Sequence, residues 1–210
     1  MALIEGPRGG LVQAGKSITL TCKATVTPTA YVTWMHNGRP IEKHTPPKVD
    51  ELPVEARLGI AEYEAHLTLP CASEADSGEY SCVFTSPCSE PITGVTALIV
   101  QGTKASTCSP LLAAPTISLF TPMRMETPHV PVQLMCRTSS KGASISWEII
   151  DGGKIEAGTR GFRTLPNGDL VVSVSELPEA DTISTLALRC TVHSPLGVAS
   201  ADSALIITDL

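Results

Sequence analysis

Apolar and polar residues alternate along much of this chain, and turn-forming residues separate the alternating runs. In SITLTCKA, residues 17–24, the apolar Ile18, Leu20 and Cys22 fall on one side of the alternation. A period of two places neighbouring side chains on opposite faces of a strand, so this run predicts a half-buried β-strand. YVTWMHNG, residues 31–38, repeats the pattern and ends in Asn-Gly, a strong signal for a tight turn.

The same order of strands occurs twice. In each half a strand with a cysteine is followed by a strand with a tryptophan, a long middle section, a second cysteine strand and a final strand. About seven short strands per hundred residues, with turn signals between them, predict a β-sandwich. Residues 102–114 have the small-residue and proline content of a linker. We therefore predict an all-β protein of two tandem domains, residues 1–101 and 115–210.

Composition supports this prediction and argues against several functions. Only 17% of the residues are charged, and 17 prolines with 16 glycines disfavour long helices. The net charge of −6 is spread without any basic run, so we expect no binding to nucleic acid or to anionic membranes. No segment approaches the roughly 20 apolar residues of a membrane helix, so we expect no membrane insertion.

Each half contains a cysteine, a tryptophan and a second cysteine at similar spacing. Trp34 follows Cys22 by 12 residues and Cys82 follows it by 60; Trp147 and Cys190 follow Cys136 by 11 and 54. The sheets of a sandwich pack about 10 Å apart, so inward cysteines on facing strands can form a bridge beside a core tryptophan. Such a bridge stabilises a small domain by about 2–5 kcal/mol.

DSGEYSC, residues 76–82, matches the D-x-G-x-Y-x-C motif of immunoglobulin domains. With the cysteine and tryptophan spacing, the chain resembles two tandem immunoglobulin-like β-sandwich domains, the first of the intermediate (I-set) or variable-like type. The resemblance implies disulfides Cys22–Cys82 and Cys136–Cys190. It also implies that the Tyr80 hydroxyl bonds to the backbone at the preceding turn and that Asp76 pairs with Arg57.

The second half departs from the motif, because the matching positions hold Ser184, Leu186 and Leu188. The tyrosine contact should therefore be missing there, at a cost of roughly 1 kcal/mol. Together with LPNGDLVV, residues 165–172, the two-domain pattern is similar to that of small secreted two-immunoglobulin proteins of invertebrates. Some members of that group act in neuronal maintenance or bind insulin-like hormones.

Three cysteines remain outside the two core pairs. Cys71 follows the alternation of Leu67 and Leu69, and the resemblance places the end of that strand near the exit of the last strand. A Cys71–Cys108 bridge is therefore one expectation, with Cys88 left as a free or intermolecular thiol. The alternative is that all three are reduced residues of a cytosolic protein.

No pattern indicates catalysis, a metal or a cofactor. The five histidines show no ligand spacing, and C-x-x-C, G-x-S-x-G and dinucleotide-binding motifs are absent from the sequence. An immunoglobulin sandwich fills its centre with side chains and offers no preformed cleft. We therefore expect a protein that is not an enzyme and that binds neither metal nor cofactor.

Strand alternation predicts one candidate partner-binding face, formed by residues out of phase with Trp34 and Cys82: Tyr31, Thr33, Met35, Ser81, Val83 and Thr85. This set is more apolar than a solvent-exposed sheet prefers. The corresponding positions of the second domain are polar: Ser146, Glu148, Arg189, Thr191 and His193. Recognition is therefore expected mainly through the first domain.

The leading hypothesis is a secreted or cell-surface adhesion or recognition module that binds another protein, either a second copy of itself or a different chain. No signal peptide is visible before the first strand, and we expect that one preceding Met1 has been removed. The alternatives are an intracellular, muscle-type structural pair with reduced cysteines and a soluble hormone-binding protein. The absence of an N-x-S/T site fits an intracellular or an unglycosylated secreted protein.

Overall fold

The computed structural model of the chain describes residues 1–26, 30–41, 60–87, 89–102, 114–138, 140, 142–178 and 183–208, and the statements below concern these residues. Residues 1–41 and 63–102 among them belong to one compact unit, the first domain, and residues 114–208 to another, the second domain. Arg57, Cys88 and Cys108 lie outside the described residues. The predicted domain boundaries, 101 and 115, remain predictions.

Two sheets form the first domain, with strands numbered in chain order. One sheet has the order β1, β3, β6, with bounds Ala2–Glu5, Ile18–Val26 and Ala61–Leu69. The other has the order β2, β8, β7, β4, β5, with bounds Gly10–Gln13, Ser89–Gln101, Gly78–Ser86, Tyr31–His36 and Arg39–Pro40. β2 runs parallel to β8, and the neighbouring pairs β8–β7, β7–β4 and β4–β5 are antiparallel.

Strict alternation of burial along β3, β4 and β7 builds the core of the first domain. Leu20, Cys22, Trp34, Cys82 and Phe84 are fully buried, and the residues between them are partly or fully exposed. The Cys22–Cys82 disulfide joins β3 of one sheet to β7 of the other, with 6.5 Å between the two Cα atoms. The sheets are thus held face to face, and Trp34 lies beside the bridge as the cross-strand partner of Cys82.

The Tyr80 hydroxyl donates a hydrogen bond to the backbone oxygen of Asp76, 2.8 Å away. The imidazole of His36 stacks on the Tyr80 ring with 4.4 Å between centroids. Burial, reinforced by the nearby Asp76 carboxylate, raises the pKa of Tyr80 to about 12, so the hydroxyl stays protonated and can donate. The Asp76 carboxylate accepts hydrogen bonds from the backbone and side chain of Ser73, at 2.7 and 2.8 Å.

The structure corrects the expected position of Cys71. β6 ends at Leu69, and Cys71 lies in the following turn with φ of +61°, so it does not continue the strand alternation of Leu67. A left-handed backbone ends the pleat, and strand phase therefore cannot be extended through it. Cys71 is disulfide-bonded. The pairing with Cys108 remains a prediction.

The second domain also consists of β-strands, most of them paired antiparallel. β9 and β12, with bounds Leu119–Phe120 and Cys136–Arg137, pair with each other. A second group has the order β11, β16, β15, with bounds Val132–Leu134, Leu170–Val172 and Phe162–Thr164. The largest sheet has the order β10, β18, β17, β13, β14, with bounds Met123–Glu126, Gly197–Ile207, Thr185–Ser194, Ser144–Ile149 and Gly153–Lys154. Only β10 and β18 are parallel within these pairs.

The core of the second domain has the same arrangement of disulfide and tryptophan as the first, with one replacement. The Cys136–Cys190 disulfide joins β12 to β17, and the Trp147 indole donates to the backbone oxygen of Gly168 at 2.8 Å. Leu188, two residues before Cys190, is fully buried and fills the position that Tyr80 occupies in the first domain. Apolar packing thus takes the place of the tyrosine contact, and the predicted all-β fold of two immunoglobulin-like sandwiches is confirmed.

Candidate recognition surface

The residues predicted to point outward from β4 and β7 lie directly opposite one another across the two strands. Tyr31 pairs with Thr85, Thr33 with Val83, and Met35 with Ser81. Tyr31 is 40% exposed and the other five are half-buried. The register of an antiparallel pair places opposed side chains within about 4.5–5.5 Å at Cβ, so the six form one continuous patch.

The patch continues across β8 onto β2, an extension that strand-by-strand analysis of the sequence had not identified. Thr93 lies opposite Val83, Val95 opposite Ser81, and Ile99 pairs with Leu11 of β2. Val95, Ile99 and Leu11 are 55%, 52% and 68% exposed. We call the following set the uncharged face: Leu11, Tyr31, Thr33, Met35, Ser81, Val83, Thr85, Thr93, Val95, Ala97 and Ile99. The exposed Glu79 borders this set on β7, opposite Ala97.

The opposite sheet of the same domain presents a different chemistry. On β3 and β6, Thr21 lies 3.2 Å from His66 Nδ1, and His66 Nε2 lies 3.2 Å from a carboxylate oxygen of Glu64. The hydrogen bond to His66 lowers the pKa of Glu64, which favours the charged carboxylate on this surface. Charged and hydroxyl groups on β3 and β6 are well hydrated, whereas the edge strand β1 exposes Leu3 and Ile4 at 40% and 50%. Covering the uncharged face therefore buries more apolar surface than covering β3 and β6.

The second domain lacks an equivalent of the uncharged face on its largest sheet, within the described residues. Arg189 donates to both carboxylate oxygens of Asp202, at 2.6 and 2.9 Å, and lies 3.6 Å from Glu148. The hydrogen bond from Arg189 lowers the pKa of Asp202, and the same contact raises that of Arg189. This ion pair occupies the middle of the sheet.

Exposed apolar residues of the second domain lie on either side of that ion pair. Val198 is on β18 opposite His193, while Met123 and Met125 are on β10 opposite Ala204 and Ile206. Asp202 and Ser200 separate the two groups along β18, so they form no continuous patch. The predicted solvated character of this face therefore fits its contacts.

The remaining predicted residues have structural positions. Trp34, Trp147, Tyr80 and the cysteines of the Cys22–Cys82 and Cys136–Cys190 bridges are buried in the two cores, away from the uncharged face. The described residues contain no cluster of three histidine, cysteine or acidic side chains that could hold a metal ion. Across the same residues, none of the helices has the length and apolar content needed to cross a bilayer.

A buried polar cluster in the second domain was not foreseen from the sequence. Asp169 is fully buried and accepts hydrogen bonds from Arg137 at 2.7 and 3.1 Å, from Gln133 at 2.7 Å and from the Cys136 backbone at 3.2 Å. Asn167 adds a fifth contact at 3.2 Å. The cluster ties β12 to the turn before β16, and its enclosure by the core gives it a structural role.

Comparisons with known proteins agree with this architecture. The immunoglobulin domain family model matches residues 4–86. Zwei Ig domain proteins zig-3 and zig-4 of Caenorhabditis elegans are 28% and 27% identical to the chain. The alignments cover 82% and 77% of this chain, and 68% and 64% of those relatives.

The solved structure of neural ectodermal development factor IMP-L2 aligns with a TM-score of 0.61 and 21% identity, covering 98% of this chain and 93% of that one. At this identity the likeness supports the fold. Two disulfide frames, sandwich sheets in both halves and the match to the domain family agree on one assignment. The chain is therefore similar to proteins of the immunoglobulin superfamily: residues 4–86 match the domain model, and each half folds as an immunoglobulin-like sandwich.

Proposed function

We propose that the chain is a non-enzymatic adhesion or recognition module that binds another protein through the uncharged face of its first domain. The observation that carries this proposal is the continuity of exposed apolar side chains from Tyr31 on β4 through Val95 on β8 to Leu11 on β2. Each of these three side chains projects from a strand that pairs with its neighbours. The backbone is already ordered, so burying these side chains under a partner costs little conformational entropy.

Physical magnitudes favour burial of this face in a complex. Burying apolar surface contributes about 25 cal/mol per Å², and a typical specific interface covers about 800 Å² on each partner. The residues of the uncharged face lose no charge hydration when a partner covers them, provided that Glu79 at its border stays hydrated or meets a basic group of the partner. Aromatic and methionine side chains such as Tyr31 and Met35 are enriched at the centres of interfaces.

The disulfides support a location outside the reducing cytosol. Cys22–Cys82 and Cys136–Cys190 each cross-link two strands of a small core. Bonds of this type form and persist in secreted and cell-surface proteins, where thiols are oxidised. We therefore propose that the chain is extracellular, as a secreted protein or an ectodomain.

The test is a binding screen of the intact chain, presented as a tetramer, against an array of extracellular proteins that includes the chain itself. Val95→Asp places a charge in the uncharged face, and Thr68→Asp places one on the exposed surface of the opposite sheet. We expect specific binding that Val95→Asp weakens at least about tenfold, equivalent to 1.4 kcal/mol, and that Thr68→Asp retains. Binding that both variants retain equally would refute the assignment of the face.

A further inference from the structure

The second domain has a groove of about 350 Å³ that lies beside the edge strand β15. Its polar lining includes Arg160, Arg163, Ser173 and Glu176, and Pro131 and Phe162 contribute apolar surface. It belongs entirely to the second domain and is separate from the uncharged face. Nothing in the proposed function uses it.

Two consecutive turns build the wall that carries Arg160. Thr159 donates its backbone N–H to Glu156 at 3.1 Å, and Phe162 donates to Thr159 at 3.1 Å. The second turn contains Gly161 with φ of +81°, and a Cβ atom at this position would collide with Leu177. Since Gly161 also accepts a hydrogen bond from the Ser173 backbone at 2.8 Å, the loop is fixed before any ligand arrives.

The two arginines of the groove have no ion-pair partner within the described residues. By contrast, acidic partners neutralise three other arginines of this domain: Glu126 pairs with Arg124, Asp169 with Arg137 and Asp202 with Arg189. Arg160 and Arg163 are both exposed and three residues apart. Glu176 is the one acidic residue among the described residues of the lining, which together carry a net charge of about +1 in a chain of net charge −6.

We propose that this groove binds an extended segment of another protein, with an acidic side chain of that segment held by Arg160 and Arg163. Guanidinium groups match the two oxygens of a carboxylate and form charge-assisted hydrogen bonds with them. β15 is an edge strand of its sheet. Within the described part of the chain, no strand pairs with the outer side of its backbone. An added strand can bond there and carry its carboxylate to the arginines.

The charge of the groove favours a single carboxylate over a dense polyanion. Glu176 repels closely spaced negative charges, and within the described part of the chain no basic residue other than Arg160 and Arg163 lines the groove to compensate for them. A sulfated polysaccharide needs a row of cations, whereas one glutamate between neutral residues needs only the arginine pair. The apolar surface of Phe162 and Pro131 accommodates neutral side chains beside that glutamate.

The experiment titrates the intact ¹⁵N-labelled chain with two synthetic five-residue peptides, Thr-Val-Glu-Val-Thr and Thr-Val-Gln-Val-Thr, both blocked at their ends. We expect saturable NMR shifts at the amides of residues 158–164 with the glutamate peptide and at least tenfold weaker binding of the glutamine peptide. Arg160→Gln and Arg163→Gln should each weaken binding about fivefold or more. Lys154→Gln removes an exposed charge outside the groove and should leave binding unchanged.

Glu176→Gln should strengthen binding of the glutamate peptide. Loss of folding would weaken binding, so it cannot produce this result. The proposal is overturned if the glutamate peptide causes no saturable shift at about millimolar concentration, or if the glutamine peptide binds equally well. It is also overturned if Lys154→Gln weakens binding as much as the arginine variants do. Stronger binding of a sulfated disaccharide at the same amides would assign the groove to a glycan instead.

Discussion

Leu11 and Ile99 lie opposite each other where β2 runs parallel to β8, and both side chains are more than half exposed. Two large aliphatic residues paired on the outer side of a sheet contribute little to the core of their own domain. Their exposure fits a surface that a partner covers, and it allows stability and binding to be separated by substitution.

Ile99→Lys should therefore leave the free energy of unfolding within about 0.5 kcal/mol of the unsubstituted protein. Leu98→Lys is the matched control, because Leu98 is the adjacent residue on the same strand and is fully buried. Burying an unpaired charge there should prevent folding or cost several kcal/mol. Urea denaturation measures both variants, and a large loss for Ile99→Lys would show that the uncharged face is a structural surface.

Tyr80→Phe should destabilise the first domain by about 1 kcal/mol, because it removes the hydroxyl that bonds to the Asp76 backbone. The matched variant is Tyr31→Phe, which deletes an exposed hydroxyl on the outer side of β4 and should change stability little. Hydrogen exchange of the β7 amides reports on this domain specifically. Equal effects of the two variants would count against the structural role of the Tyr80 contact.

Asp169→Asn should destabilise the second domain by about 3–5 kcal/mol. The substitution keeps the shape of the side chain but leaves the buried Arg137 guanidinium without its counter-charge. Asp202→Asn breaks an exposed pair with Arg189 and should shift the unfolding midpoint only slightly. Thermal denaturation compares the two, and a small effect of Asp169→Asn would mean that the buried pair is easily replaced.

Cys71 provides a covalent test of the cysteine predictions. It is disulfide-bonded, and we expect Cys108 as its partner, with Cys88 carrying the free thiol. Mass spectrometry of peptides from the non-reduced, alkylated protein should recover Cys71 linked to Cys108 and alkylated Cys88. A Cys71–Cys88 peptide would contradict this pairing, and Cys108 would then carry the thiol.

Strict alternation explains why much of the fold could be predicted from the sequence. In β3 the buried Leu20, Cys22 and Ala24 are separated by Thr21 and Lys23, so only one face can be buried. β8 lacks this contrast. Val95, Ala97 and Ile99 point outward, but they are as apolar as the buried Leu98 and Val100, so only the register of the sheet shows which are exposed.

Asp169 shows a second limit of sequence analysis. An acidic residue after Asn-Gly is typical of a solvated turn, and no local pattern indicates that it is fully buried. Its partner Arg137 follows Cys136 directly, but a distance of 32 residues separates the pair along the chain. Cys71 shows a third limit, because a single left-handed residue ends the strand alternation without any glycine to mark it.

The most direct test of the uncharged face as the binding surface is hydrogen–deuterium exchange of the chain alone and in complex with the partner that the array identifies. Binding should slow exchange in β4, β7 and β8, where the outer residues Met35, Val83 and Val95 lie, and leave β3 and β6 unchanged. Protection confined to β3 and β6, or to the second domain, would contradict the account.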